Sequence, residues 1–308
     1  MSVQAERGSD KLADQPAARP LADLGIRAAV PRKGRRLRAF LRNPTFVAGV
    51  AILSAIVLMA LFADLLCPGD PLDMVGPPVL WPGQDAEFPL GTDSLGRDVL
   101  AGLVHGARAS LLVGLAAAAI GIAIGMVIGS AAGFFGGWAD LALMRLVELF
   151  QTTPTFLLII VIIAIGEPSV KTIALAIGLA SWPTVARLVR AQFRSLRESD
   201  FVMAARSLGY SNLRIIAQEI LPNALPPVIV AASVMIANAI LTEAGLSFLN
   251  MRDPNLVSWG GMIGAGRDLL RTAWFLTALP GVAIAATVLS LNLVGDGLNE
   301  ILNPRSDP

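Results

Sequence analysis

The sequence predicts an all-α integral membrane protein that crosses the bilayer six times. Of its 308 residues, 55% are hydrophobic and only 15% are charged, whereas soluble chains carry about 25% charged residues. The apolar residues are gathered in runs of the length that a transmembrane helix requires, about 20 residues for a hydrocarbon core of about 30 Å. The chain therefore has too little polar surface for a water-facing domain of this size.

Four of the predicted spans are continuous apolar runs. They cover residues 46–66, 110–132, 224–242 and 273–295. Asp64 is the only charged residue in them. Pro226 and Pro227 stand near the start of the third run, where the missing N–H of a proline is best tolerated in a helix. Each run is long enough to cross the bilayer as a helix.

Two further spans are interrupted. The run at 141–166 contains Arg145 and Glu148, which lie three residues apart on one helical face and can neutralise each other. The run at 172–189 contains Pro183 and, near its end, Arg187, whose side chain can extend to the membrane interface. We expect this span to be short and kinked.

The distribution of Lys and Arg predicts that both termini are cytoplasmic. Ten of these residues precede Thr45 and six more lie within 187–221, whereas the connections on the opposite side hold six in total. Short cytoplasmic loops are enriched in Lys and Arg, so the tail and the 187–221 connection are placed inside.

These spans divide the chain into a tail, a membrane domain and a short end. Residues 1–45 are predicted to be a cytoplasmic tail, disordered at first and then basic and interfacial over 32–42, where it would contact anionic lipid. The remaining predicted parts are the six-span domain 46–303, its external loop 67–109, its cytoplasmic loop 190–221, and a cytoplasmic end at 304–308.

The cytoplasmic loop 190–221 is predicted to form two short helices separated at Gly209. Ser199 or Asp200 can cap the first helix, Ser211 or Asn212 the second, and Gly209 suits the left-handed position between them. Apolar side chains fall on one face of the first helix at helical spacing. They are Phe201, Ala204, Ala205 and Leu208, with Ile215 and Ile216 beyond the turn. This face packs against its own bundle or docks into a groove of a soluble partner.

Two other sets of residues each have two possible interpretations. Glycines recur every four residues in the second span and form a stripe that allows close helix packing or serves as a sliding gate. They are Gly121, Gly125, Gly129 and Gly133. Polar side chains within the spans line a path for a polar solute or form interhelical hydrogen bonds. They are Asn238, Thr242, Glu243 and Asn292.

Several kinds of chemistry are excluded by composition. A single cysteine, Cys67, and a single histidine, His105, leave no zinc site built from several Cys or His, and no catalytic residue is assigned. The sequence has no GxxxxGK[ST] phosphate loop, so any ATP must be bound elsewhere. A net charge of +1 gives no basic field for nucleic acid. An intramembrane enzyme is disfavoured because His105 has no accompanying nucleophile or metal motif.

The loop 190–221 resembles the EAA loop of permease subunits of binding-protein-dependent ABC importers. The resemblance lies in Ala204-Ala205, three residues, Gly209, and then Ile220-Leu221-Pro222, with Met203 where that motif usually has glutamate. It implies that the loop couples the permease to an ATPase subunit. The implied coupling residues are Phe201, Met203, Ala204, Ala205, Arg206, Leu208, Gly209, Ile220, Leu221 and Pro222.

Five other segments are similar to the dipeptide, oligopeptide and nickel permease group, and most of all to its C-type subunit. They are GTDSLGRDVLAGLVHGARASL from Gly91, GFFGGWADLALMRLVE from Gly133, LTEAGLSFL from Leu241, SWGGMI from Ser258 and LNLVGDGLNEILNPR from Leu291. The 250–255 loop is shorter than in the commoner family pattern.

The resemblance implies a type I ABC importer permease fold in a bacterial or archaeal cytoplasmic membrane. The implied partners are a second, B-type permease subunit, two ATPase subunits that bind ATP and Mg, and an extracytoplasmic substrate-binding protein; the chain itself would bind no cofactor. Di- or oligopeptides are the expected substrates, with nickel complexes still open. The alternative is a solitary ion-coupled transporter, which would need a deep ionisable relay or an inverted repeat.

Overall fold

The computed structural model describes residues 43–302, and this part of the chain folds into helices joined by loops. In chain order the α-helices are α1 (Pro44–Leu61), α2 (Ala63–Leu66), α3 (Val99–Phe135), α4 (Gly137–Thr152), α5 (Thr155–Ile165), α6 (Val170–Arg197), α7 (Asp200–Ser207), α8 (Asn212–Arg214), α9 (Leu221–Phe248), α10 (Trp259–Gly266) and α11 (Phe275–Leu302). No strand forms between residues 43 and 302, where an isolated bridge joins Thr92 and Asp98. The predictions for residues 1–42 and 303–308 lie outside the described residues.

Five helical stretches are long and apolar enough to cross a membrane. They are Pro44–Leu61, Val99–Phe135, Val170–Arg197, Asn212–Phe248 and Phe275–Ile301. The pair α4 and α5 also meets this criterion when the two are taken together, although they are bent by 83° at their junction. The all-α membrane fold is confirmed, with six spans when the bent pair counts as one.

The predicted third span is broken at Pro154. Thr153 and Pro154 both have extended backbone, with ψ of 130° and 120°. Proline lacks an N–H and disfavours helical backbone in the residue before it, so α4 ends there and α5 begins in a new direction. Within α4, Arg145 donates to Glu148 at 2.9 Å, which confirms the predicted pairing of these two charges.

Two helices extend well beyond the predicted spans. α3 begins at Val99, eleven residues before the predicted run, because the Asp98 carboxylate caps it by accepting from the N–H of Leu100 at 2.9 Å. α6 runs through Pro183 to Arg197 and buries Phe193 in its last turns. The helix is therefore longer than the span predicted at 172–189, because it stays amphipathic past its apolar part.

The bundle has two ends, named here by a residue at each. The Asp98 end holds the start of α3, the loop before it and the 249–274 connection, while the Gly209 end holds the 198–211 connection and the end of α3. Arg108, near the start of α3, donates to the carbonyl of Ala60 at 3.2 Å, so α1 begins at the Gly209 end. There Asn43 donates to Glu300 at 2.5 Å. The two limits of the described chain thus lie together at the Gly209 end.

The glycine stripe of the second span faces α6. A Cβ on Gly125 would lie 2.5 Å from the Cβ of Val185, and one on Gly129 would lie 2.5 Å from the carbonyl oxygen of Ala186. Gly121 and Gly133 approach the same helix as closely. The backbones of α3 and α6 therefore pack at a separation that side chains at these positions would prevent.

Candidate functional site

The 198–211 connection folds as a helix and a sharp turn. α7 begins after Ser199, and the chain reverses at Gly209, whose φ of +78° lies in the left-handed region. Beyond the turn, the hydroxyl of Ser211 accepts from the N–H of Arg214 at 3.4 Å. The predicted left-handed glycine and the predicted Ser211 cap are both confirmed.

The predicted second short helix is not separate. α8 continues through a π-helical turn, Ile215–Ile220, directly into α9, so that residues 212–248 form one continuous helix. Within this turn the N–H of Leu221 bonds to the carbonyl of Ile216, five residues back. Pro222 directly follows this π-helical turn, where the usual bonding to the fourth residue back is already interrupted, so its missing N–H does not end the helix. This is why the chain passes Pro222 without a boundary.

α7 divides its apolar side chains between two faces. Val202 and Ala205 are buried, and they pack with Phe134, Ile215 and Ile220. The expected single face that joined Ala205 and Ile215 to the other apolar side chains is therefore wrong. In a helix of eight residues, the face at positions 202 and 205 covers the bundle, and the adjacent face points away from it.

The other apolar side chains of α7 and of Leu208, the residue after it, are exposed, and together they are called here the α7 surface. It consists of the side chains of Phe201, Met203, Ala204 and Leu208. Leu208 is 74% exposed and Phe201 40%. Of the other predicted coupling residues, Arg206, Gly209 and Pro222 are exposed, whereas Leu221 is half-buried. One side of the loop thus packs on its own bundle, and the other presents an uncovered apolar surface. The buried side chains can serve the predicted packing role, and the exposed ones can serve the predicted docking role.

Two arginines of the loop make cation–π contacts with aromatic rings. Arg206 lies 5.7 Å from the ring centre of Phe134, at the end of α3. Arg214 lies 3.9 Å from the ring centre of Tyr210 and donates to Gln218 at 2.9 Å. Such cation–π contacts hold the guanidinium groups in place. Tyr210 was not among the predicted site residues, although its spacing of four residues from Arg214 is a signal for this contact.

The four polar residues of the spans occupy three different places. Asn238 is exposed on α9, and Thr242, one turn further, donates from its hydroxyl to the Asn238 carbonyl at 2.7 Å. Asn292 is half-buried on α11. Glu243 points into the bundle and is only 2% exposed. The structure therefore brings Asn238 and Thr242 together and separates them from Glu243.

Glu243 belongs to a buried polar cluster, called here the serine cluster, with Ser110, Ser247 and Ser258. One carboxylate oxygen of Glu243 accepts from the hydroxyls of Ser247 and Ser258, each at 2.7 Å. The hydroxyl of Ser110 accepts from the N–H of Trp259 at 3.3 Å. The cluster joins α3, α9 and the start of α10, a convergence that no single-segment pattern reveals.

The start of α3 is tied to the end of α1 by charged and polar contacts. Arg108 donates to both oxygens of Asp64, at 3.1 and 3.4 Å, and this hydrogen bonding lowers the pKa of the Asp64 carboxyl below its ordinary value. His105 contacts the Cys67 carbonyl at 2.9 Å and lies 4.0 Å from Asp64. Between residues 43 and 302, no group of three or more His, Cys, Asp or Glu side chains is placed to hold a metal.

Comparison with known proteins identifies the family. Residues 121–308 match the family described as binding-protein-dependent transport system inner membrane component, and residues 34–79 match the N-terminal TM domain of oligopeptide transport permease C. The chain belongs to this permease family. It is a multi-pass membrane protein and a permease component of an ABC importer, as the motifs predicted, and it works in a complex with other subunits.

Named relatives cover nearly the whole chain. The di/tripeptide transport system permease protein DppC of Pseudomonas aeruginosa is 38% identical over 274 residues, which is 87% of this chain and 90% of the relative. The dipeptide transport system permease protein DppC of Alkalihalophilus pseudofirmus is 37% identical over 265 residues, 86% of this chain and 87% of the relative. These matches give no support to a solitary ion-coupled transporter.

A solved structure shares the fold of this permease. The MetNI methionine ABC transporter, in an inward-facing conformation, superimposes with a TM-score of 0.54 at 18% identity, covering 67% of this chain and 97% of that chain. At this identity the likeness establishes the fold alone, which is the type I importer permease fold that the motifs implied.

Proposed function

We propose that this permease imports di- or oligopeptides and that the α7 surface couples it to a separate ATPase subunit. The observation that carries the coupling role is the exposed apolar α7 surface beside the left-handed turn at Gly209. An uncovered apolar helix face of this kind fits a hydrophobic groove in a partner. The peptide class is supported by the names of the two peptide permeases, which are 37–38% identical to this chain.

The packing of α7 supports a transmission role. Its buried side chains Val202 and Ala205 contact Phe134 at the end of α3 and the π-helical turn that leads into α9. A displacement of α7 therefore moves elements that continue as spans, because a close-packed interface cannot deform continuously. ATP-driven closure of two ATPase subunits would push α7 and shift the spans between inward-facing and outward-facing states, and hydrolysis would reset them.

The complete transporter in this proposal contains parts that this chain lacks. A second, B-type permease subunit forms the other half of the path, which Asn238, Thr242, Glu243 and Asn292 would line from this side. ATP and Mg bind to the ATPase subunits, an extracytoplasmic binding protein delivers the peptide, and this chain binds no cofactor. The assembly sits in the bacterial cytoplasmic membrane with both termini and the α7 surface inside, as the Arg-rich Gly209 end favours.

The coupling role is tested by co-purification of the ATPase subunit through detergent. Gly209→Val should abolish the association, because valine is strained at a φ of +78° and the turn would be distorted. Gly83→Val is the matched control, since Gly83 has a φ of +79°, is likewise free of neighbours within 4 Å, and lies at the Asp98 end. We expect the control to retain the ATPase; loss in both variants, or in neither, would contradict the proposal.

A second variant changes the α7 surface without altering the backbone. Leu208→Asp places a charge in the proposed interface, and Leu95→Asp does the same at an exposed leucine of the Asp98 end. Only Leu208→Asp should reduce the amount of ATPase subunit that co-purifies with the permease. If vesicles with this chain alone took up solute under an ion gradient, the solitary transporter would replace this proposal.

A further inference from the structure

The break between α4 and α5 lies near the middle of the bilayer. α5 has 11 residues, which gives a length of about 16 Å, roughly half of a hydrocarbon core of about 30 Å. Just before the break, the ring centre of Phe150 lies 5.1 Å from that of Trp182 on α6. A Cβ on Gly121 would meet the α6 residue directly before Trp182, and Gly121 is the middle residue of the uncharged run 110–132. Both observations place the break at mid-membrane.

This break is exposed and irregular. Every residue from 151 to 157 is exposed. Thr153 and Pro154 have extended backbone, and α5 begins without a side-chain cap, so the first N–H groups of α5 have no helical partner. Lipid offers no hydrogen-bond partner. Irregular backbone at this depth is therefore tolerated only where other protein covers it or where it lines a water-filled cavity.

Polar side chains continue from the break toward the Gly209 end. Arg145 and Glu148 precede Thr152 by seven and four residues, so the three share one face of α4. The Nη1 of Arg187, on α6, donates to the Oε1 of Gln151 at 3.2 Å and joins the two helices. The exposed polar side chains of this region are called here the polar strip. They are Arg145, Glu148, Gln151, Thr152, Thr184 and Arg187.

The polar strip carries one positive charge without a counter-ion. Arg145 is paired with Glu148, whereas Arg187 forms no ion pair within residues 43–302. Its neighbour Ala186 packs against Gly129, which lies inside the uncharged run 110–132, so Arg187 lies at the depth of the hydrocarbon. A charged side chain at this depth is costly in lipid and faces the interior of an assembly or a water-filled cavity. The polar strip therefore does not face lipid.

The composition of the polar strip favours water over a dry contact with another subunit. Close contacts between spans use small residues, as the glycine stripe does between α3 and α6. The polar strip instead presents long charged side chains, hydroxyls and an amide. A dry contact would leave the charge of Arg187 desolvated without a counter-ion from this chain. Water satisfies the arginine, the hydroxyls and the open backbone groups of the break together.

We propose that the break and the polar strip line a water-filled path from mid-membrane to the Gly209 end, and that Arg187 makes this path favour acidic peptides. The inference rests on the proposed function, which supplies the peptide and places the Gly209 end inside. It adds a path surface on α4, α5 and α6, distinct from Asn238 and Thr242 on α9. The unpaired guanidinium attracts an anionic solute and repels a cationic one.

Thiol labelling in inside-out membrane vesicles that hold the complete transporter tests the path. Cys67, the single cysteine of the chain, is first replaced by serine. Thr152→Cys is then treated with a charged, membrane-impermeant methanethiosulfonate, and labelling of this chain is followed by mass spectrometry. Val127→Cys is the matched control, because Val127 is 70% exposed on an apolar face of α3 and lies between Gly125 and Gly129, at the depth of Arg187.

We expect Thr152→Cys to be labelled at least about tenfold faster than Val127→Cys, because a thiol in apolar surroundings stays protonated and unreactive. A transported peptide in excess should slow the labelling of Thr152→Cys. Equal rates for the two variants would overturn the proposal and show that the second permease subunit covers the break. If the rates differ as expected but the unmodified transporter shows no ATP-driven peptide uptake, the proposed function fails while the water-filled cavity stands.

The role of Arg187 is tested by the charge preference of uptake. The readout is the ratio of ATP-driven uptake of Ala-Glu-Ala to that of Ala-Lys-Ala, each at a concentration that saturates the binding protein. Arg187→Gln should lower this ratio by about fivefold or more, the order expected for a charge about 4 Å from another in water. Arg187→Lys keeps the charge and should keep the ratio. An unchanged ratio in Arg187→Gln would overturn the assigned role of this arginine.

Discussion

Arg190 forms a bidentate ion pair with Asp140, which lies fifty residues earlier in the sequence. Its Nε and Nη2 donate to the two carboxylate oxygens at 2.5 and 2.6 Å. The side chains are 31% and 20% exposed, so water screens this pair less than a pair on the open surface. Nearby, Arg197 donates to the carbonyl of Phe134 at 3.0 Å. Together these contacts hold the corner between α3 and α4 against α6 at the Gly209 end.

A double-mutant cycle on this pair should give a coupling free energy of about 1–2 kcal/mol. The variants are Asp140→Asn, Arg190→Gln and the two combined, measured by unfolding of the purified protein in one detergent. The pair Arg145–Glu148 is the control, because its side chains are 74% and 59% exposed and lie three residues apart on one helix. Its coupling should stay below about 0.5 kcal/mol. Equal couplings for the two pairs would contradict the stabilising role of Asp140.

The glycine stripe predicts that a Gly→Ala substitution changes the stability of the protein differently on different helices. Gly129→Ala should destabilise the protein by about 1–3 kcal/mol, because the new methyl group would meet the Ala186 carbonyl at 2.5 Å and force α3 away from α6. Gly245→Ala and Gly281→Ala are the controls, since both are helical glycines with no atom within 4 Å. They should be neutral or stabilising by up to about 1 kcal/mol.

The measurement for the glycine variants is the unfolding midpoint in one detergent at fixed protein concentration. A neutral Gly129→Ala would show that α3 and α6 are not held at this separation. A normal unfolding midpoint with altered ATP-driven uptake would instead favour the sliding-gate interpretation of the stripe.

Glu243 offers a test of its two possible roles. Glu243→Gln keeps an oxygen that can accept from Ser247 and Ser258, so it should cost less stability than Glu243→Leu, which leaves both hydroxyls without their acceptor. We expect a difference of roughly 1–3 kcal/mol between the two variants. Hydrogen exchange of the backbone N–H groups of α10 should rise in Glu243→Leu, because the bond from Ser258 anchors its start.

The same variants separate packing from transport. If Glu243 lined the path as a peptide ligand, Glu243→Gln would alter uptake while leaving the unfolding free energy and the hydrogen exchange of α10 unchanged. Asn238→Ala and Thr242→Ala serve as the comparison, since these residues share an accessible face of α9. A polar path requires one of these substitutions to change uptake with little effect on stability.

Much of the architecture was predictable from the sequence, and the reasons are local. The length of an apolar run fixes whether it can span the membrane, so the spans were found from composition alone. Gly209 and Ser211 were also assigned correctly, because a left-handed turn and a helix cap depend on neighbouring residues. Family membership followed from short motifs that keep their order along the chain.

What the sequence could not provide depends on the packing of distant segments. The burial of Ala205 follows from how α7 lies on Phe134 and Ile220, which helical spacing does not determine. The serine cluster around Glu243 joins α3, α9 and the start of α10, and a cavity lined by Arg97 and Arg252 exists only where two connections meet. A period of 3.6 residues defines a face, but only the assembled bundle decides what that face contacts.

The contact between Asp64 and Arg108 predicts a dependence on acid pH. The hydrogen bond from Arg108 lowers the pKa of the Asp64 carboxyl below its ordinary value. A lowered pKa means that the folded state binds the proton more weakly than the unfolded state does. The resulting stabilisation is present above the ordinary pKa and is lost as the pH falls through the lowered value.

Arg108→Gln removes this effect and raises the pKa of Asp64 toward its ordinary value. Carboxyl carbon chemical shifts of labelled aspartate, followed between about pH 2 and 6, measure the change directly. Asp85, an exposed aspartate of the loop before α3, supplies the internal reference signal for the chemical shifts. Because Arg108 also donates to the carbonyl of Ala60, part of the stability lost in Arg108→Gln should persist at acid pH, where the contribution of Asp64 is gone from both proteins. A titration of Asp64 that is unchanged by the substitution would show that the guanidinium group does not hold this carboxylate.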